Sequence, residues 1–164
     1  MSGPVAVRVA APDDLAAAAA LVVSSYVGGG FVPADSPYVH ELEDVQARAR
    51  EAEVLVAERD GQVVGTVTFC PPGSPWAEIS GPGEGEFRML AVAGDHRRAG
   101  VGRLLVASCL DRARQTGSRR VVISTTPRMT AAHRMYERLG FVRLPARDWF
   151  PRPDVGLLVY GRDL

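Results

Sequence analysis

The residues whose types and spacing point most directly to chemistry lie at 86–103, EFRMLAVAGDHRRAGVGR. Gly100 and Gly102 open a run in which Val101, Leu104, Leu105, Cys109, Leu110 and Ala113 recur at helical spacing. Glycine is a poor helix former, so its place in a first turn calls for another reason. The first amides of a helix lack internal partners and sit at the positive end of its dipole. Glycines there remove side chains that would hold a phosphate away from those amides. Arg97 and Arg98 stand just before them, and guanidinium suits phosphate recognition. The chemistry indicated is the binding of a phosphorylated ligand. The alternative is a tight connection with no ligand.

The elements that must position this turn are legible on both sides. Residues 86–92 alternate large apolar residues and end in Leu90-Ala91-Val92, which reads as a buried strand. Gly94-Asp95-His96 is a polar turn, and the helix follows. The chain has neither the Gly-Lys-Ser/Thr of a P-loop nor the G-x-G-x-x-G of a dinucleotide fold.

Two motifs in this order carry a family resemblance. Arg97-Arg98-Ala99-Gly100-Val101-Gly102 matches the R/Q-x-x-G-x-G/A signature of the Gcn5-related N-acetyltransferases. Tyr136-Glu137-Arg138-Leu139-Gly140-Phe141 resembles that family's Y-E-x-L-G-F ending. The similarity in element order runs over most of the chain, and its specific motifs lie between residues 86 and 141. The resemblance implies acetyl-CoA as co-substrate, no metal, and an amine acceptor. It implies that pantetheine lies between splayed fourth and fifth strands, bonded to the backbone of Leu90 and Val92. The cofactor-binding residues so implied are Leu90, Ala91, Val92, Arg97, Arg98, Ala99, Gly100, Val101, Gly102 and Arg103. Two positions depart from the pattern. Met129 stands where many members have Asn, and Ser124 stands where the ribosomal-protein acetylating branch has glutamate. Thr125 or Thr126 offers a replacement polar contact, or simply ends a strand and caps a helix.

Moving an acetyl group from a thioester to an amine has three requirements. The amine must lose a proton, the carbonyl oxygen needs donors as charge develops, and the leaving thiolate benefits from an acid. The resemblance assigns the acid to Tyr136, whose reference pKa of roughly 10 keeps it protonated at neutral pH. It points to Glu86 as base, four residues before Leu90. Strand alternation would put Glu86, Arg88 and Leu90 on one face. Glu86 as an ion-pair partner of Arg88 or a solvated strand end is the competing reading, and Glu84, His40, His133 or a water relay are other sources of a base. For the acceptor side the regions used by this fold offer Tyr26, Phe31, Tyr38, His40, Glu41, Trp76, Trp149 and Phe150.

Composition bounds the rest. The chain has 164 residues, enough for a single domain spanning 1–164, and 46% of them are hydrophobic, which excludes disorder. Net charge is zero and all 19 basic residues are Arg, so no basic excess argues for nucleic acid. Cys70 and Cys109 lack metal-ligand spacing and read as buried free thiols. Residues 15–23 are apolar, but Asp13 and Asp14 precede them, and no run reaches the roughly 18 apolar residues of a membrane span. The expected location is cytoplasmic.

In order, the pattern predicts a strand at 5–10, helices at 12–26 and 37–50, and a hairpin of strands at 54–59 and 62–70 around Asp60-Gly61. A long loop at 71–85 precedes the central strand and helix. A strand at 119–125, a helix ended by Gly140, a strand at 141–144, a loop at 145–154 and a strand at 155–160 follow. The fold class is therefore α/β (α+β): a mixed, mostly antiparallel sheet of about seven strands with helices on both faces. The function so predicted is acetyl-CoA-dependent N-acetyl transfer, with a homodimer suggested by family habit. Its rivals are a non-catalytic acyl-CoA-binding module and a nucleotide-binding regulatory domain.

Overall fold

The computed structural model describes residues 3–97 and 99–164. The alternating segments form β1 (Ala6–Val9), β2 (Glu53–Arg59), β3 (Gln62–Cys70), β4 (Glu84–Val92), β5 (Arg120–Thr125), β6 (Val142–Arg143), β7 (Trp149–Arg152) and β8 (Val155–Asp163). They make one sheet in the order β1-β2-β3-β4-β5-β8-β6, with β7 paired to β8. Only β4 and β5 run parallel. Asp60 and Gly61 both adopt positive φ, at 51° and 78°, as a two-residue hairpin turn demands.

Helices α1 (Leu15–Tyr26), α2 (Tyr38–Glu43) and α3 (Val45–Glu51) cover one face of the sheet, and α4 (Val101–Gln115) and α5 (Thr130–Arg138) cover the other. The alternation of β2 sorts its side chains between them: Val54 and Val56 pack with Ala18 and Val45, while Leu55 and Ala57 pack toward Leu105 and Cys109.

Two expectations are corrected here. The helix predicted over 37–50 is broken at Asp44, whose Oδ1 accepts the Ala47 amide at 3.2 Å and caps a new helix. The buried Arg48 guanidinium donates to the Glu41 and Leu42 carbonyls at the end of α2, so both ends of the break are satisfied. The loop predicted at 145–154 contains β7, which turns back on β8 with Trp149 opposite Leu157 and Arg152 opposite Val155. The sheet therefore has eight strands.

The feature that positions the site is the course of β4. It pairs with β5 only from Glu84 to Glu86, opposite Arg120 to Val122, and beyond that point the two strands separate. Just past the separation Met89 has φ 58°, and the β3–β4 register shifts between the Thr68–Arg88 and Thr66–Ala91 pairs. This is a bulge, and it moves alternation by one residue. Phe87, Leu90 and Val92 pack toward α4, whereas Met89 and Ala91 pack toward α1 and α2. Arg88 reaches Tyr38 of α2. Arg88 and Leu90 are thus on opposite faces, contrary to strict alternation.

Helix α4 is drawn against the sheet by Gly65 on β3. A Cβ built there would lie 2.8 Å from Val101 Cγ1, 3.0 Å from Leu105 Cδ1 and 3.3 Å from the Ala91 carbonyl oxygen. Gly65→Ala should therefore destabilise the fold by about 1–3 kcal/mol, the usual result of overpacking, as read from urea unfolding.

Candidate active site

The separation of β4 from β5 leaves a cleft of about 970 Å³. Its floor includes Leu90, Ala91 and Val92 of β4, and one wall is the first turn of α4, Gly100 to Arg103. Gly100 caps that helix at φ 82°, a left-handed conformation that costs glycine little. A Cβ at Gly100 would meet open space, so the turn faces the cleft bare. Arg97, Arg103, Arg128 and Arg138 also border the cleft, and no acid does among the described residues. Free helix amides, the dipole and four guanidiniums without carboxylate competitors fit a ligand carrying several phosphates. Coenzyme A, an elongated molecule with a pyrophosphate, meets that requirement.

Most of the predicted cofactor-binding residues come together here: Leu90, Ala91, Val92, Arg97, Gly100, Val101, Gly102 and Arg103. Arg98 lies outside the described residues. Ala99 and Thr125 are not among the described residues that border the cleft. The Thr125 hydroxyl is instead 3.2 Å from His133 Nε2, which also lies 3.0 Å from the Thr126 carbonyl oxygen. Burial and these contacts tie His133 to the strand end, and burial holds its pKa below the usual value. The Val92 carbonyl accepts from Arg97 Nε at 3.3 Å.

Tyr136 sits beneath the cleft rather than on its surface. Its ring lies within about 6 Å of those of Phe87, Phe141 and Tyr160, and its neighbour Met135 reaches the cleft. Burial raises the Tyr136 phenol above its ordinary range, so it stays protonated. Tyr26, at the end of α1, borders the cleft and is close enough to Tyr38, Tyr136 and Arg88 to feel all three electrostatically.

Glu86 is fully buried. Its carboxylate accepts three successive backbone amides: Glu78 at 3.0 and 3.1 Å, Ile79 at 2.9 Å and Ser80 at 3.0 Å. Consecutive N–H groups curled round an anion form a nest. The loop before β4 is wrapped on this one side chain, and Arg147 adds a bond to the Ile79 carbonyl at 2.8 Å.

Above that loop, on the α2 face, lies a second constellation. Arg88 donates to the Trp76 carbonyl at 3.0 Å and to the Tyr38 hydroxyl at 3.1 Å, and pairs with Glu78 at 3.0 Å. Glu41 stands 3.8 Å from the same guanidinium. Arg48 and Arg88 both lie over the Trp76 ring, at 5.7 and 5.9 Å from its centroid. Of the acceptor-side candidates, Tyr26, Tyr38, Glu41 and Trp76 gather here, whereas Trp149 and Phe150 lie on β7.

A model of the acetyltransferase (GNAT) family matches residues 21–141, well over half of the chain. The chain belongs to the GNAT family. It is 36% identical over 141 residues to a mycothiol acetyltransferase of Cellulomonas flavigena, covering 80% of this chain and 40% of that protein. It is 35% identical over 86 residues to N-acetyltransferase family 8 member 3 of Rattus norvegicus, covering 52% of this chain and 36% of that protein. The chain thus spans about two fifths of the length of these curated relatives. Among solved structures, a GCN5-related N-acetyltransferase from Kribbella flavida is 29% identical, with a TM-score of 0.71 over 98% of both chains. A putative acetyltransferase from Salmonella typhimurium, solved with its cofactor acetyl-CoA, has the same fold at 23% identity, with a TM-score of 0.72 over 99% of this chain and 95% of that one.

Within this GNAT chain, three residues that sequence reasoning passed over now stand out, Glu78, Arg128 and Arg138, together with Arg88, which pairs with Glu78 and Glu41 and not with Glu86 as the sequence suggested. Arg138 was inside a quoted motif, and Arg128 precedes the atypical Met129, so both were within reach. Glu78 was hidden in a loop whose path depends on Glu86. If that carboxylate holds the loop, Glu86→Gln presents an amide donor to amides and loses at least one bond. The variant should be destabilised by about 1–3 kcal/mol, with faster hydrogen exchange at the Glu78, Ile79 and Ser80 amides.

Proposed function

We propose that this GNAT chain is an N-acetyltransferase that moves the acetyl group of acetyl-CoA directly to a primary amine within a ternary complex. The observation that carries this reading is the acid-free, arginine-bordered cleft, which joins the α4 turn to Leu90, Ala91 and Val92, the part of β4 beyond its pairing with β5. The bound thioester supplies an activated acetyl group. The chain supplies orientation, charge and protons. Leu90, Ala91 and Val92 line the path of the ligand's arm, and the α4 turn with Arg97, Arg98 and Arg103 holds its phosphates. Arg97 releases the Val92 carbonyl in doing so.

Tyr136 fits the acid. It is kept neutral by burial, close to Met135 at the cleft wall. The environment of Glu86 supports a positioning role better than a proton-accepting one. Every bond described for its carboxylate holds the loop, and no solvent reaches it. No metal is needed for this chemistry. No helix among the described residues is long and apolar enough to cross a membrane. A cytoplasmic location fits the two buried free thiols, and a homodimer through the C-terminal strands fits the exposed Val142 and Phe150.

Thermal unfolding with acetyl-CoA tests the cleft. At about 100 times its dissociation constant the ligand should add about 2.7 kcal/mol. Gly102→Glu should abolish that gain while folding normally, since its Cβ would meet the flexible end of Met135 at 3.3 Å and Val92 Cγ2 only at an ordinary 3.8 Å. No shift of the wild-type midpoint would refute the reading. Tyr136→Phe should lower turnover by roughly 10²-fold or more while leaving acetyl-CoA affinity within about twofold. Equal turnover would remove Tyr136 from the reaction.

A further inference from the structure

We propose that Glu78 is the acceptor-binding carboxylate of this site, receiving the ammonium of a primary amine that has no carboxylate beside it and taking the first proton from that nitrogen. The inference rests on the acetyl transfer proposed above and names its acceptor class.

The argument begins with what Glu78 is joined to. Its backbone amide is fixed on the Glu86 carboxylate, and its side chain is fixed by Arg88 at 3.0 Å. Arg88 is itself committed to the Trp76 carbonyl and the Tyr38 hydroxyl, and its side chain is only 9% exposed. The Glu78 side chain keeps 32% of its surface. In this pair the cation is nearly buried and the anion is still open. Tyr38 bonds the same guanidinium through its hydroxyl and the Trp76 ring lies against it, and both residues pack against the cluster that holds Ala91, which borders the coenzyme cleft. A carboxylate open to solvent, paired with a guanidinium that Tyr38 and Trp76 contact and beside the cluster that reaches the cleft, suits an ammonium on an apolar stem.

The same geometry rejects an acid. A carboxylate beside the acceptor nitrogen would face Glu78 and Glu41, and the nearest cation, Arg88, is already paired with Glu78 and bonded to the Trp76 carbonyl and the Tyr38 hydroxyl. Amino acids are therefore poor acceptors, and their decarboxylated or amidated counterparts are good ones.

The protons balance. The acceptor ammonium gives one proton to Glu78, which releases it to solvent. The nitrogen lone pair then forms the C–N bond and the C–S bond breaks. The sulfur takes a proton from Tyr136, and the second proton leaves the nitrogen and restores the phenol, so that amide, free thiol and one proton are the products. The charged and titratable groups facing Glu78 are Arg88 and Glu86 from β4, Glu41 and Tyr38 from α2, and Cys70 from β3. Burial outweighs Arg88 and lifts the Glu78 carboxyl above the usual carboxylate range, toward that of a useful base.

Tyramine and tyrosine, which differ by one carboxylate, are the probes. Calorimetry on the full chain saturated with coenzyme A should show tyramine binding roughly tenfold or more tighter than tyrosine. Glu78→Gln should lose roughly tenfold in tyramine affinity and keep the wild-type stabilisation by acetyl-CoA. Its acetylation rate at neutral pH should fall by roughly 10²-fold, with the gap to wild type closing as pH nears the tyramine amine's own pKa. A merely structural Glu78 would give a gap that does not change with pH. Equal binding of the two probes, unchanged tyramine affinity in Glu78→Gln, or a pH-independent gap would each overturn the proposal. Failure of acetyl-CoA to stabilise the wild type would instead refute acetyl transfer, and tyramine binding to the ligand-free chain would still decide the role of Glu78.

Discussion

The structure depends on one buried carboxylate. Glu86 lies at the last position where β4 still pairs with β5, opposite Val122. A charge with no exposure must be met by donors or neutralised, since its desolvation is worth several kcal/mol. Here three loop amides meet it, and none of them comes from a strand. The interaction has two consequences. It anchors the loop to the last paired position of β4, beyond which the two strands part. It also folds the loop before β4 back over the α2 face. The cleft and the constellation beside it are therefore set by the same side chain.

The two compartments differ in charge for a physical reason. The cleft has guanidiniums and helix amides and no carboxylate among its described residues, which is the arrangement a polyanion requires. Across β4, positive and negative groups are interleaved: Arg48 and Arg88 with Glu41 and Glu78. Arg48 has no carboxylate partner among the described residues. Burial and the nearby Arg88 push its pKa down to about 10, and it is still fully charged at neutral pH. The bulge at Met89 divides the side chains of β4 between the two compartments, sending Leu90 to one and Arg88 to the other, while Ala91 borders both.

Most of the fold was legible because its signals are local. The Asp60-Gly61 hairpin, the Gly100-Gly102 turn and the period of α4 need only neighbouring residues to be read. Break points were harder. Asp44 looks like one more polar residue on a helix until Arg48 is seen holding the carbonyls of Glu41 and Leu42. The family resemblance implies a bulge where the two strands splay, but nothing in Arg88-Met89-Leu90 announces a positive φ on methionine, and strict alternation then assigns the wrong face to Leu90. At the site, the motif residues were found by type and spacing. The acceptor side was not, since its geometry passes through a loop whose backbone is held by distant side chains.

That loop shows why length alone does not make a segment mobile. It has no ladder of its own, yet its polar backbone groups must find partners. Glu86 takes its amides, while Arg88, Arg147 and Arg119 donate to the carbonyls of Trp76, Ile79 and Pro82. A guanidinium can reach a carbonyl with one edge and a carboxylate with another, as Arg147 does with Ile79 and Glu84. An ammonium, with its donors on a single atom, would bridge less well. A chain whose basic residues are all arginine can therefore fix a glycine- and proline-rich segment by side chains alone, and it is this segment that presents Glu78.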